Sequence, residues 1–274
     1  MKIKPLKYIK KYSSLDHRKK DLVKFLSFAV FTLLIIVTGI NRLEYNWQWY
    51  RVPRYIFSFT EGKLIPGALL KGLAVTLEIS AVSLFFAFTA GLVTALFRLS
   101  DSILARVVSR VYLESVRNTP LLIQLFFIYF VISPIFSISA FTSAVAALSL
   151  FEGAYTSEII RAGIMSVPGG QWEAALSLGM GKGTIYTKII FPQAIRQMLP
   201  MLVSQSVSLV KDSSLVSTIA IYDLTMRGQE IVADTFLSFE IWFSVALIYL
   251  AVTGLLSWIV SIIEKKYVIC KKNK

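Results

Sequence analysis

Cysteine and histidine are almost missing from these 274 residues, with one of each, Cys270 and His17, both in strongly basic tails. A single cysteine excludes an internal disulfide, and the pair cannot assemble a Cys/His metal site. Nucleophile-base chemistry built on histidine is equally unsupported. Charge is scarce as well, at 16% of residues against 55% hydrophobic ones, far from the soluble average. Internal repeats, low-complexity tracts and a soluble domain are not found either. No catalytic residue, bound cofactor or metal is expected, and the chain does not read as an enzyme.

What is present comes in long apolar runs, the signature of an integral membrane protein. Runs long enough to cross roughly 30 Å of hydrocarbon as helices lie at about 23–40, 67–97, 112–133, 139–160, 190–216 and 240–263. The expectation is an all-α integral membrane fold with about six transmembrane helices. Lysine and arginine number nine in residues 1–24, three in 98–111, four in 161–196 and five in 264–274, against four in 41–66 and one in 217–239. Cationic segments are retained in the cytoplasm. Both termini are therefore expected inside.

The formal charge of +13 sits mainly in the two tails that flank spans. Membrane retention and contact with anionic lipid account for it, so no nucleic acid partner is assigned. No small-x-small site follows the first apolar run, at Asn41-Arg42-Leu43-Glu44, and that run is expected to stay as an anchor. The organisation reads as a basic cytoplasmic tail over 1–22, an additional span and outer aromatic segment over 23–64, a membrane core over 65–264, and a second basic cytoplasmic tail over 265–274. The tail over 1–22 is expected to be disordered or interfacial. Trp47, Trp49, Tyr50, Tyr55 and Phe57 suit an anchor at the outer interface better than a ligand cage.

Between the fourth and fifth runs a short loop would suffice, yet Gln171-Trp172-Glu173-Ala174-Ala175-Leu176-Ser177-Leu178-Gly179 stands there, followed by Ile189-Ile190-Phe191-Pro192. Pro168-Gly169-Gly170 is expected to end the preceding element. Gln171 to Met180 then predicts a short cytoplasmic helix, with Glu173 in its first turn, where a carboxylate is favoured by the helix dipole. Trp172, Leu176 and Met180 would form its apolar face, and Gly179, Gly181 and Gly183 would end it and admit another backbone. Such a helix either rests on lipid or receives a partner. Gly181-Lys182 is not a P-loop, since Leu176 and Gly183 stand where that motif needs glycine and serine or threonine.

Glu173-Ala174-Ala175, Gly179, Ile189 and Pro192 resemble the EAA loop of membrane subunits of ATP-binding-cassette importers, with Phe191 in place of a leucine. The segment from Gly153 to Gly163 agrees with it. Arg117-Asn118-Thr119-Pro120-Leu121-Leu122-Ile123-Gln124 and Ser208-Leu209-Val210-Lys211-Asp212-Ser213-Ser214-Leu215 narrow the likeness to permeases of the polar amino acid uptake group. The resemblance covers about 66–264 and implies the type I importer permease fold, with Trp172, Glu173, Ala174, Ala175, Gly179 and Pro192 in a coupling helix and loop. It further implies a cytoplasmic ABC ATPase dimer that binds the ATP, a second permease chain of the same or a paralogous kind, an extracytoplasmic amino-acid-binding protein, and location in a bacterial inner membrane.

Ionisable groups at membrane depth usually face a cavity. Candidates for the substrate path are Asn118, Glu158, Ser204, Ser208, Lys211 and Asp212, with Gln197, Ser204 and Ser208 on one face of the fifth run. Each also has a local reading: Glu158 can pair with Arg161, and Lys211 and Asp212 with neighbours at the outer boundary. For Glu78 a structural hydrogen bond is the expectation. An ATP-independent secondary transporter or channel is the alternative function, since midplane polar residues suit that class too.

Overall fold

A computed structural model describes residues 6–42, 45–60 and 62–272. The side chains of His17 and Cys270 lie outside the described residues, as do residues 1–5 of the basic tail. The chain divides into two units, Met1–Trp47 and Gln48–Lys274.

The first unit is helix α1, Leu6–Arg42, so helix starts well before the expected span and replaces the disordered tail from Leu6 onward. Lys20–Gly39 is its apolar portion, and every side chain from Lys20 to Ile35 is exposed. Long-chain residues such as Lys7, Lys10 and Lys11 have good helix propensity, which lets the apolar helix propagate into the basic segment.

The second unit opens with a 3-10 turn, Trp49–Arg51, followed by a short helix α2, Pro53–Ile56, and an antiparallel hairpin of β1, Phe57–Thr60, and β2, Lys63–Pro66, in register Phe57 to Pro66. The fold is otherwise helical, and this hairpin is a small departure from the all-α expectation. Helix α3, Ala68–Leu99, follows; after a short turn comes α4, Ile103–Arg117. The run read as one span over 112–133 is broken: α5, Leu121–Phe126, a π-helical stretch Phe127–Ile132 and α6, Ser133–Phe136, lie at 106° to α4. Pro120 causes the break, because it disfavours helical backbone at the residue before it and cannot donate into the preceding turn.

Helix α7, Ala140–Met165, packs along α3 over most of its length. Small residues make this possible. A Cβ on Gly91 would lie 2.6 Å from the Thr156 Cγ2 and 3.0 Å from the Gly153 carbonyl oxygen, so the two backbones are as close as side chains allow. Helices α8, Gly169–Ser177, and α9, Lys182–Ile185, a π turn Tyr186–Ile190 and α10, Phe191–Asp212, come next. The outer connection read as a loop over 217–239 instead contains a 3-10 stretch to Ile219 and helix α11, Leu224–Thr235. Helix α12, Ser238–Lys272, closes the chain.

Three apolar clusters hold this unit. One joins Ile79, Leu125, Ala144, Leu148 and Val216; another joins Ala95, Ile160, Ala175, Ile185 and Ile190; a third joins Leu69, Leu224, Leu237 and Ile241. Among the described residues, three helices (α1, α3 and α12) are long and apolar enough to span a membrane, and the bent α4–α6 segment makes a fourth. Helices α7 and α10, of 26 and 22 residues, have the length but carry too many polar groups to meet that test. Their polar faces are the places to look for function.

Candidate functional site

Helix α8 starts at Gly169, with Pro168 as its N-cap, so the Pro-Gly-Gly sequence opens the helix where it was expected to end the preceding one. Proline's fixed φ suits the entry to a helix. As a consequence Glu173 lies in the second turn, is exposed, and does not meet the N-terminal dipole as expected. The inward face also differs from the one expected: Ala175 is buried, Trp172 and Met180 pack beside it, and Leu176 is 54% exposed. Leu178, at 80%, projects further still.

The end of α8 explains Gly179. Its N–H donates to the Leu176 carbonyl at 2.9 Å, and the Met180 N–H reaches back to the Ala175 carbonyl at 3.2 Å. This is a Schellman closure, and it requires the left-handed backbone seen at Gly179, φ +74°. A Cβ built there meets nothing within 4 Å. Glycine is thus needed for conformation, and the space above it is open to a partner.

Two contacts tie α8 and the start of α9 to the body. Trp172 meets Tyr186 edge to face at 4.9 Å, and Tyr186 in turn meets Phe191 at 5.7 Å. Lys182 pairs with Asp101 of the α3–α4 turn at 3.0 Å, an exposed bridge of little energetic weight. Pro192 sits in the first turn of α10, directly after the π turn, where the Phe191 N–H donates to the Tyr186 carbonyl five residues back. The widened turn gives the proline ring room that a straight α-helix would deny it.

The path candidates fall into two groups. Glu158 accepts from Arg98 at 2.5 Å, Arg161 at 3.1 Å and Arg117 at 3.3 Å, so the expected local pair is one part of a three-arginine cluster joining α3, α4 and α7. Asn118, at the end of α4, donates to Glu114 at 3.1 Å. Glu158 and Asn118 line one cleft of about 990 Å³. On α10, Gln197, Ser204 and Lys211 are exposed and Ser208 is half-buried, forming a polar ridge that this chain's own helices do not cover. Asp212 is half-buried and lies within hydrogen-bonding reach of a residue the sequence reading passed over, Glu152. Glu152 is 1% exposed in the middle of α7; its Oε2 accepts from Gln205 of α10 at 2.5 Å, and its Oε1 has no N–H or hydroxyl donor among the described residues. Glu78, expected to make a structural hydrogen bond, is exposed and makes none among the described residues.

The family model for the inner membrane component of binding-protein-dependent transport systems matches residues 87–269. The chain belongs to this family. Such inner membrane components include the glutamine transport system permease protein GlnP of Escherichia coli, 37% identical over 201 residues, covering 72% of this chain and 92% of the relative. The L-cystine transport system permease protein TcyB of Bacillus subtilis is 42% identical over 200 residues, 71% of this chain and 84% of the relative. An amino acid ABC transporter crystallised with histidines superposes at a TM-score of 0.68 with 37% identity, over 73% of this chain and 94% of that one. The MetNI methionine ABC transporter in an inward-facing form shares the fold at a TM-score of 0.61 with 20% identity, over 73% and 95% of the two chains. The family match lies within the second unit, and the type I ABC importer permease fold is that of this chain.

Proposed function

We propose that this inner membrane component is the permease subunit of an ATP-driven importer that carries a polar amino acid into the cytoplasm, while a separate ABC ATPase dimer binds and hydrolyses the ATP. One observation carries the reading: α8 anchors itself inward through Trp172, Ala175 and Met180 and turns Leu176, Leu178 and the open space at Gly179 outward. A helix so built offers an apolar contact surface at the end of the membrane core. Docked in the ATPase, α8 would move with nucleotide closure and draw α10 with it through the Trp172–Tyr186–Phe191 stack.

The same motion would act on the polar ridge of α10. Ser204, Ser208 and Lys211 are too polar to face lipid at little cost, so they face a second permease chain or the lumen between two chains. Glu152, Asp212 and Gln205 add a cluster of polar oxygen and amide groups beside that ridge, suited to the ammonium end of an amino acid. Asn118 and Glu158 line the inner cleft through which the substrate would leave. An extracytoplasmic binding protein would deliver the amino acid from the other side, and both termini would lie in the cytoplasm. The relatives named for glutamine and cystine support the polar amino acid class.

The secondary transporter or channel reading leaves α8 without an occupant for its outward face. Proteoliposomes containing the chain, its ATPase and its binding protein separate the two. Amino acid uptake should require ATP inside and all three components, and the chain alone should release no phosphate from ATP. Uptake by the chain without the ATPase would refute the importer reading.

A further inference from the structure

Helix α4 presents distinct faces to distinct surroundings. Ser109 and Leu113 are buried, while Ile103, Leu104, Val107, Val108 and Val111 are all more than half exposed. Arg106, Arg110 and Arg117 line the cleft of about 990 Å³ together with Arg98 and Arg161. Another face, through Val108 and Tyr112, borders an apolar groove of about 700 Å³ between α3 and α7, whose walls include Phe86, Val93, Phe97, Val145 and Leu150. The exposed valines and leucine of α4 lie between the two openings.

The charges of the cleft do not cancel. Its carboxylates are Asp101, Glu114 and Glu158. Glu158 is taken by Arg98, Arg117 and Arg161, Asp101 by Lys182, and Glu114 accepts from Asn118. Arg106 donates only to the Ser100 carbonyl, at 3.4 Å, and Arg110 has no hydrogen bond or ion pair among the described residues. Five arginines thus face three carboxylates, and the two guanidinium groups of Arg106 and Arg110, one helical turn apart beside an apolar groove, make no ion pair among the described residues. A guanidinium pairs with phosphate through two parallel hydrogen bonds.

We propose that α4 seats one anionic glycerophospholipid, with its phosphate on Arg106 and Arg110 and one acyl chain across Val107 and Val108 into the groove between α3 and α7. Neither surface suffices alone. The guanidiniums select the head by charge, and the groove selects a molecule that carries a hydrocarbon chain. The site is independent of α8 but shares its cleft with Asn118 and Glu158 of the proposed exit, and it rests on taking the α3–α4 turn as the cytoplasmic end of the core.

Native mass spectrometry of the full chain in detergent, titrated with dioleoylphosphatidylglycerol or dioleoylphosphatidylcholine, tests it. Phosphatidylglycerol should bind more tightly, and Arg106→Gln with Arg110→Gln should weaken it about 25-fold, from roughly fivefold for each cation near an anionic lipid. Both arginines are exposed, so the double variant should elute as a folded protein. Val93→Trp, which fills the groove, should weaken both lipids. Glycerol 3-phosphate and inorganic phosphate should not compete at equal concentration. Equal binding of the two lipids, unchanged binding in the arginine double variant, or displacement by inorganic phosphate would each overturn the lipid site. Disulfide capture of a Val93→Cys chain by a second copy in the assembled transporter would do so too, because that groove would then be a protein interface.

Discussion

Gly179→Arg is the most demanding test of the docking helix, because the structure separates two costs that a substitution there combines. The first is conformational. At φ +74° any L side chain is disfavoured by about 1 kcal/mol relative to glycine, and Gly179→Ala isolates this cost because a Cβ there touches nothing. Gly179→Asn should recover part of it, since asparagine tolerates the left-handed region. The second cost is steric exclusion of a partner, and it appears only with a long side chain. Leu178→Asp approaches the same surface without backbone strain: it removes an apolar side chain whose burial contributes about 1.5–3 kcal/mol per docking helix, a 10- to 150-fold loss of affinity at each cleft. The assay is copurification with the ATPase followed by uptake and phosphate release in proteoliposomes. Gly179→Ala and Gly179→Asn should associate nearly as wild type, whereas Gly179→Arg and Leu178→Asp should lose the ATPase or hydrolyse without uptake. Wild-type association of both Gly179→Arg and Leu178→Asp would refute the docking role. Glu173→Ala should be milder than either, because Glu173 is exposed in the second turn and makes no cap.

Gly91→Val should lower the melting temperature of the purified chain sharply, because overpacking of this kind costs about 1–3 kcal/mol and Thr156 and the Gly153 carbonyl have nowhere to move; a melting curve like wild type would mean that the α3–α7 contact is looser than described. Glu158→Gln should destabilise by about 2 kcal/mol by leaving Arg98, Arg117 and Arg161 to repel one another, with Glu158→Asp intermediate; a neutral result in thermal unfolding would return the cluster to surface electrostatics. Asp223 caps α11 by accepting from the Met226 N–H at 2.8 Å, yet burial pushes its carboxyl up to about 6 in the connection between α10 and α12. A folded-state value above the unfolded one contributes stability that is full below about 4 and is lost as pH rises through about 6. Asp223→Asn keeps the cap acceptor and should therefore flatten the unfolding profile between pH 4 and 7 and be no less stable at pH 8; a variant that loses stability most at pH 8 would contradict the sign.

Local rules account for what could be read in advance. The docking segment was legible because Gly179, Pro192 and the small residues between span boundaries each need a backbone reason, and the family spacing joined them. Its start was misjudged because Pro-Gly-Gly also ends helices, and only the packing of Trp172 and Ala175 onto Ile160 and Ile190 decides that Pro168 opens one. The hairpin over 57–66 had a weak signal in Phe57-Ser58-Phe59-Thr60 and Glu61-Gly62, masked by its aromatic content. Glu152 could not be recognised from its neighbours. It is one carboxylate in an apolar run, and the groups that give it meaning, Gln205 and Asp212, lie 53 and 60 residues further along. The Glu158 cluster is similar: Arg161 is a local partner, while Arg98 and Arg117 arrive from two other helices.

The distribution of small residues and of backbone interruptions separates a rigid part of this permease from a part that can be moved. Gly91 and Gly153 bring α3 and α7 into direct contact, and the Glu158 cluster fastens both to α4. Helix α10, by contrast, begins on a π turn, carries Pro192 in its first turn and has Pro200 inside it. Its hydrogen-bond ladder is interrupted on the side nearest α8. A pull on α8 through Tyr186 and Phe191 therefore meets little backbone resistance at the start of α10 and a locked block at α3 and α7. Glu152 sits on the fixed side of that boundary and Gln205 and Asp212 on the movable side, so any displacement of α10 along α7 must change how these three groups meet. On the proposed function the coupling loop and the polar cluster would belong to one device, with the boundary between α7 and α10 as the place where nucleotide closure would change the substrate's surroundings.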